Sequence, residues 1–164
     1  MARHRTDAED RRPLARAVAY LQTSRTSEEY PIFTASDDRV ARAIATGLLM
    51  DRRDAEVLAH RHILSPDPRH HIAASGDMVG LVRAIYAAWA AERGWGTVVY
   101  AGAIHMNTGV PHAHVLLGGQ TGTGRPLHLW PPDYAALKRV AGEVVGEAAV
   151  SGKKRRRVLR ALRG

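Results

Sequence analysis

The sequence predicts an α+β domain: an antiparallel sheet with helices packed mainly on one face. Three observations carry that expectation. Apolar residues recur at helical spacing near the start, the middle and the end of the chain. Two neighbouring segments, WGTVVYAGAIHM and HAHVLLGG, have strand character and are joined by the short turn NTGVP. Neither an internal repeat nor a clear linker divides the 164 residues, which suffice to enclose one core.

Residues 8–22, AEDRRPLARAVAYLQ, are expected to be helical, with Pro13 in the first turn and Leu14, Val18 and Leu21 on one face. TSRTSEEYPIFTAS follows as a loop, because Pro31 and several hydroxyl residues interrupt any period. Ser36 is the expected cap of a second helix, DDRVARAIATGLLMD, which has acids in its first turn. AEVLAHRHILS is a strand ended by the turn-forming PDP. In SGDMVGLVRAIYAAWAAERG, Val79, Val82, Ile85 and Trp89 form the apolar stripe of a helix that Gly94 stops. Beyond the two later strands, a Gly/Thr-rich link, GQTGTGR, leads to a short strand, PLHLW. A last helix, PDYAALKRVAGEVVGEAA, then runs towards the C-terminus.

The chain has no cysteine, which excludes disulfides and thiolate metal sites. MARHRTDAEDRRPL is polar and of mixed charge, unlike a secretory signal. No apolar stretch approaches the roughly 20 residues that span a bilayer. The expectation is a cytoplasmic protein without a membrane partner. Of the net charge of +8, seven units lie in the tail KKRRRVLRALRG, leaving +1 for the other 152 residues. The chain therefore divides into a domain at 1–150 and a basic tail at 151–164. A basic segment of this density suits a polyphosphate partner through counterion release, which nominates Lys153, Lys154, Arg155, Arg156 and Arg157 for nucleic-acid contact.

The sharpest signal is IHMNTGVPHAHVLLGG. Side chains alternate along a strand, so His112, His114 and Leu116 share one side while Ala113, Val115 and Leu117 take the other. On the preceding strand Thr97, Val99, Ala101, Ala103 and His105 share a face, with Tyr100 opposite. If NTGVP closes a hairpin, His105 converges with the pair, and three neutral imidazoles make a divalent-metal site with open positions. Three histidines alone suit Zn²⁺. A cupin-like arrangement would want a glutamate about four residues after the second histidine of H-x-H. Gly118, Gly119 and Gln120 stand there instead.

His105, then six residues ending in Pro111, then His112-Ala113-His114-Val-Leu-Leu-Gly resembles the HUH signature of plasmid mobilisation relaxases. The upstream strand HRHILSPDPRH and the long helix after it resemble that family's element order. The similarity covers residues 55–120 well and 14–54 more weakly. It implies the HUH endonuclease fold and a metal-dependent nicking of single-stranded DNA at an origin of transfer, with accessory relaxosome proteins as further partners. Mg²⁺ or Mn²⁺ would be the metal, held by His105, His112 and His114, and Ser65 would contact DNA. The resemblance also implies a tyrosine nucleophile near the N-terminus in a Tyr-Leu context, which Tyr20 in AVAYLQTSR matches; Tyr30 is the reserve. Arg16, four residues before Tyr20 on the helix, is the cationic neighbour expected to steady a developing phenolate.

One position departs from the pattern. Asn107 stands where the family often has aspartate, and an amide can orient a ring but takes no proton. His60 and His62 share one face of their strand, and with His70 and His71 they are candidates for the neighbourhood of the metal. Asp38 or Asp67 would be the carboxylate that orients a ligating ring. Three alternatives stay open: a non-catalytic DNA-binding accessory protein on the same fold, a replication initiator or transposase of the same HUH chemistry, and a three-histidine zinc hydrolase acting on small molecules.

Overall fold

The structure is a computed structural model that describes residues 7–23, 29–50, 57–67, 75–106 and 110–161; side chains at 7–11, 75–77 and 147–161 lie outside the description. Eight elements follow one another: α1 (Asp7–Gln22), β1 (Ile32–Thr34), α2 (Arg42–Met50), β2 (Ala59–Leu64), α3 (Ser75–Glu92), β3 (Val98–His105), β4 (His112–Thr121) and α4 (Pro131–Ala161). The strands form one antiparallel sheet in the order β1-β3-β4-β2. The α+β class and the β3–β4 hairpin agree with the sequence reading.

The helices do not keep to one face. Tyr100, Ile104, Ala113, Val115 and Leu117 pack with α3 and with Leu137 and Val140 of α4. Ala101, Ala103 and Leu116 pack with Leu14, Val18 and Leu21 of α1 and with Ala45 and Leu49 of α2. The sheet is therefore covered on both sides, two helices to each. The cause is visible in β3 and β4, whose burial is nearly unbroken along both strands. A strand apolar on both faces needs cover on both.

Local chemistry explains the element ends. Gly94 adopts φ +66°, its N–H donates to Ala91 O, and Trp95 N–H donates to Ala90 O. This αL ending closes α3 and seats the Trp95 ring against Trp89 at 4.9 Å. At the start of α4, the Asp133 carboxylate accepts from Trp130 N–H at 2.8 Å, and prolines occupy the next two positions, where no N–H is needed. Arg93 pairs with the same buried carboxylate at 2.6 Å, tying the two helices together.

Several expectations are corrected. Pro13 lies in the second turn of α1, on its exposed side, because the helix begins at Asp7. The loop before α2 contains a strand, β1, too short at three residues to show a period of two, yet buried throughout. Ser36 caps nothing: Thr34 and Asp37 close a tight turn and Val40 N–H returns to Ile32 O, so the second helix starts only at Arg42. PLHLW forms a single bridge, Gln120 to Pro126, in place of a strand. The last helix continues unbroken across the expected boundary at 150, so the basic segment is the end of α4. No helix among the described residues is long and apolar enough to cross a membrane.

Two positions yield tests of this fold. A Cβ on Gly119 would lie 1.7 Å from the carbonyl oxygen of Val57, where the chain entering β2 crosses β4. Gly119→Ala should destabilise the protein by at least about 2 kcal/mol in urea denaturation. His62 is buried, donates or accepts through Nδ1 to Tyr86 Oη at 2.7 Å, and leaves Nε2 without a partner. Burial, then neighbouring His60, push its pKa down to about 4. The unfolded chain binds this proton below about pH 6.5 while the folded chain refuses it until about pH 4. Stability should thus fall as pH drops through that window, by about 3 kcal/mol from this residue alone. In chelator-treated protein, His62→Gln should flatten the slope; an unchanged slope would contradict the assignment.

Candidate metal centre

The site grows from the hairpin register. His105 is paired directly with His112, and Ala103 with His114. Directly paired residues in an antiparallel ladder point to the same side, and so do positions two apart. The three imidazoles accordingly emerge together from the face that α1 and α2 cover, at the end of the sheet nearest the turn. Their ring centroids lie 5.6 Å (105–112), 4.4 Å (105–114) and 5.1 Å (112–114) apart.

Backbone carbonyls set the tautomers. His105 is buried, and its Nε2–H donates to Leu21 O at 2.7 Å, which leaves the lone pair on Nδ1. His112 donates from Nδ1 to Val110 O at 3.2 Å, which leaves the lone pair on Nε2. His114 is buried with Nδ1 unbonded. Burial, followed by His105, His112 and Arg61, pushes its pKa down to about 4, so the ring stays neutral at physiological pH. One nitrogen from each ring falls within 4.8 Å of the other two. Nitrogens about 2.1 Å from a common ion stand about 3.0–3.4 Å apart, so a modest rotation of the rings closes the site. The orphaned buried nitrogen of His114 supplies the other half of the fit. These three residues can hold a divalent cation.

Main-chain carbonyls orient two of the three rings, His105 through Leu21 O and His112 through Val110 O. Asp38 is engaged by Arg83 at 2.8 Å. Leu21 O belongs to the last turn of α1, where carbonyls have no partner within the helix. His105 and Tyr30 N–H, which donates to Gln22 O, satisfy two of them. The end of α1 is thereby fastened to the histidine cluster.

This fastening brings Tyr20 to the site. Its ring lies edge-on to His114 with centroids 6.1 Å apart, and it is 51% exposed. Tyr30 is buried and stacked on His105 at 4.4 Å, nearly parallel. A ring in that position braces the imidazole. Tyr100 faces the opposite core, where burial raises its pKa to about 12. Tyr86 lies in that core as well, bonded to His62.

The cation over the Tyr20 ring comes from a segment distant in sequence. It is Arg61 of β2, with its guanidinium carbon 5.4 Å from the ring centroid. The sequence reading passed over Arg61 because only the pairing of β2 with β4 reveals its side. Ile63 pairs with His114 and Arg61 with Leu116, so odd positions of β2 share the metal face. His60 and His62 consequently lie on the other face, where His60 Nε2 bonds Leu127 O and His62 packs against Tyr86. Ser65 is exposed and follows β2 at the end where β4 begins. Asn107, His70, His71 and the side chains of Lys153, Lys154, Arg155, Arg156 and Arg157 lie outside the described residues.

Metal binding should be measurable by calorimetry and by thermal shift. Saturating Mn²⁺ or Zn²⁺ at about 100 times Kd should stabilise the fold by about 2.7 kcal/mol. His114→Ala removes a ligand outright, and should weaken binding at least about 10- to 100-fold, the range already seen when only a ligand's orienting partner is lost. Equal affinity in the variant would exclude His114 from the site.

Comparison of the chain with protein-family models, with curated proteins and with solved structures finds no match. The reading of the site rests on its geometry and on the histidine motif.

Proposed function

We propose that this chain is a metal-dependent endonuclease that nicks single-stranded DNA by tyrosine transesterification, as a mobilisation relaxase does at an origin of transfer. The observation that carries the reading is the convergence of His105, His112 and His114 with an exposed Tyr20 on one face of the sheet. A structural histidine cluster would have no use for a solvent-facing phenol beside it.

His105, His112 and His114 are the ligands in this reading. A divalent cation there supplies positive charge against a non-bridging oxygen of the scissile phosphate, and three neutral ligands leave that charge undiminished. Tyr20 Oη attacks phosphorus. The Oη–P bond forms as the P–O3′ bond breaks, the phenol proton ends on the freed 3′-hydroxyl, and the 5′ side remains as a phosphotyrosine ester. Transfer to a hydroxyl in the reverse sense reseals the strand. Tyr30 keeps His105 in place, and Leu21 O keeps its Nδ1 lone pair available. The basic residues at 153–157 add sequence-independent attraction to the phosphate backbone.

The test is a denaturing gel. With Mn²⁺ and a labelled, randomised single-stranded oligonucleotide pool, wild-type protein should form an adduct that withstands denaturation and disappears with chelator. Tyr20→Phe should form none. An adduct that persists in Tyr20→Phe and is lost in Tyr30→Phe would move the nucleophile to Tyr30. DNA binding without any wild-type adduct would favour the non-catalytic accessory protein.

A further inference from the structure

Five described arginines, Arg12, Arg16, Arg39, Arg61 and Arg125, face no carboxylate among the described residues, and of these Arg61 lies on the strand face that carries the site of His114. Arg42, Arg83, Arg93 and Arg139 each face a carboxylate: Glu29, Asp38, Asp133, and Glu92 with Glu143, respectively. Among the described residues no carboxylate pairs with Arg61. Its guanidinium sits on the Tyr20 ring instead, on a strand position that shares the metal face with Ile63 and His114.

Arg61 is exposed on the face of the sheet that also carries the three imidazoles, so its guanidinium is available to an anion that approaches them. The arrangement makes sense when an anion enters between them. Leu116, the direct partner of Arg61 on β4, is buried under α1 and α2, whereas Arg61 and Ile63 on the edge strand are exposed. The strip of sheet beside Tyr20 is therefore open, and it leads to His114.

We propose that Arg61 is a phosphate-binding residue of this site: its guanidinium engages the phosphodiester that Tyr20 attacks, on the side away from His105, His112 and His114. The proposal rests on the nuclease reading above and adds a residue to it. In the free protein the contact with the Tyr20 face holds both groups in place. With DNA bound, the fork of N–H donors matches the phosphate oxygens and, after transfer, the phosphotyrosine. Lysine at this position would keep the charge but lose the fork.

The experiment compares wild type, Arg61→Gln and Arg61→Lys as full chains. Two quantities are read for each: the salt dependence of binding to the randomised single-stranded pool, and the rate of adduct formation with Mn²⁺. Arg61→Gln should reduce the salt slope by about 0.7, the value for one phosphate contact on a single strand. It should slow adduct formation on the order of 10- to 100-fold, as expected for a lost charge-assisted bond. Arg61→Lys should restore the slope and recover the rate only in part. Mn²⁺ affinity in Arg61→Gln should be no weaker than in wild type, which separates this effect from a damaged fold. Should wild type form the adduct while Arg61→Gln matches it in both slope and rate, the role of Arg61 is overturned and the nuclease reading stands. Should wild type form no adduct, both fall.

Discussion

One hydrogen bond organises the site: His105 Nε2–H to the carbonyl of Leu21, 84 residues away in sequence and 2.7 Å in space. It has three effects at once. It satisfies a carbonyl that the last turn of α1 would otherwise leave without a partner. It fixes the tautomer of His105, directing the Nδ1 lone pair towards His112 and His114. It also sets where α1 ends, and with it the position of Tyr20 one residue earlier. Without this bond the hairpin would still gather three imidazoles, but the end of α1 would lose its direct tie to them.

The sheet divides its labour between faces. On one side Tyr86, Trp89, Tyr100 and their neighbours form an aromatic core under α3 and α4. On the other, α1 and α2 cover small residues, Ala101 and Ala103, which let the helices approach closely near the histidines. Gly102, between them, faces the aromatic side, where a Cβ would lie 2.8 Å from the Phe33 ring. The central strands therefore carry bulk on the structural face and little of it on the chemical face. The helix that bears Tyr20 is held on that second face by Leu14, Val18 and Leu21.

Much of this was legible in the sequence because strand and helix periods are local. Alternation put His105, His112 and His114 on one side and Tyr100 on the other, and both placements hold. The 3.6-residue period found α1 and its buried face, and Gly94 ended α3 where expected. What escaped depends on contacts between distant segments. β1 is three residues long, so no period could announce it. Cover on both faces of the sheet follows from burial along β3 and β4, which alternation in composition understates because alanine and glycine occupy inward positions. Arg61 could not be placed until the partner of β2 was known, and the local candidate, Arg16, took its role by default. Two of the rings are oriented by main-chain carbonyls, Leu21 O and Val110 O, and such partners carry no sequence signature.

The most direct measurement is anomalous diffraction from crystals of the metal-free protein soaked in Mn²⁺. The account predicts one ion within about 2.2 Å of His105 Nδ1, His112 Nε2 and a nitrogen of His114, with His105 Nε2 still bonded to Leu21 O. An ion bound elsewhere, or one held by His105 through Nε2 with the Leu21 bond broken, would contradict it.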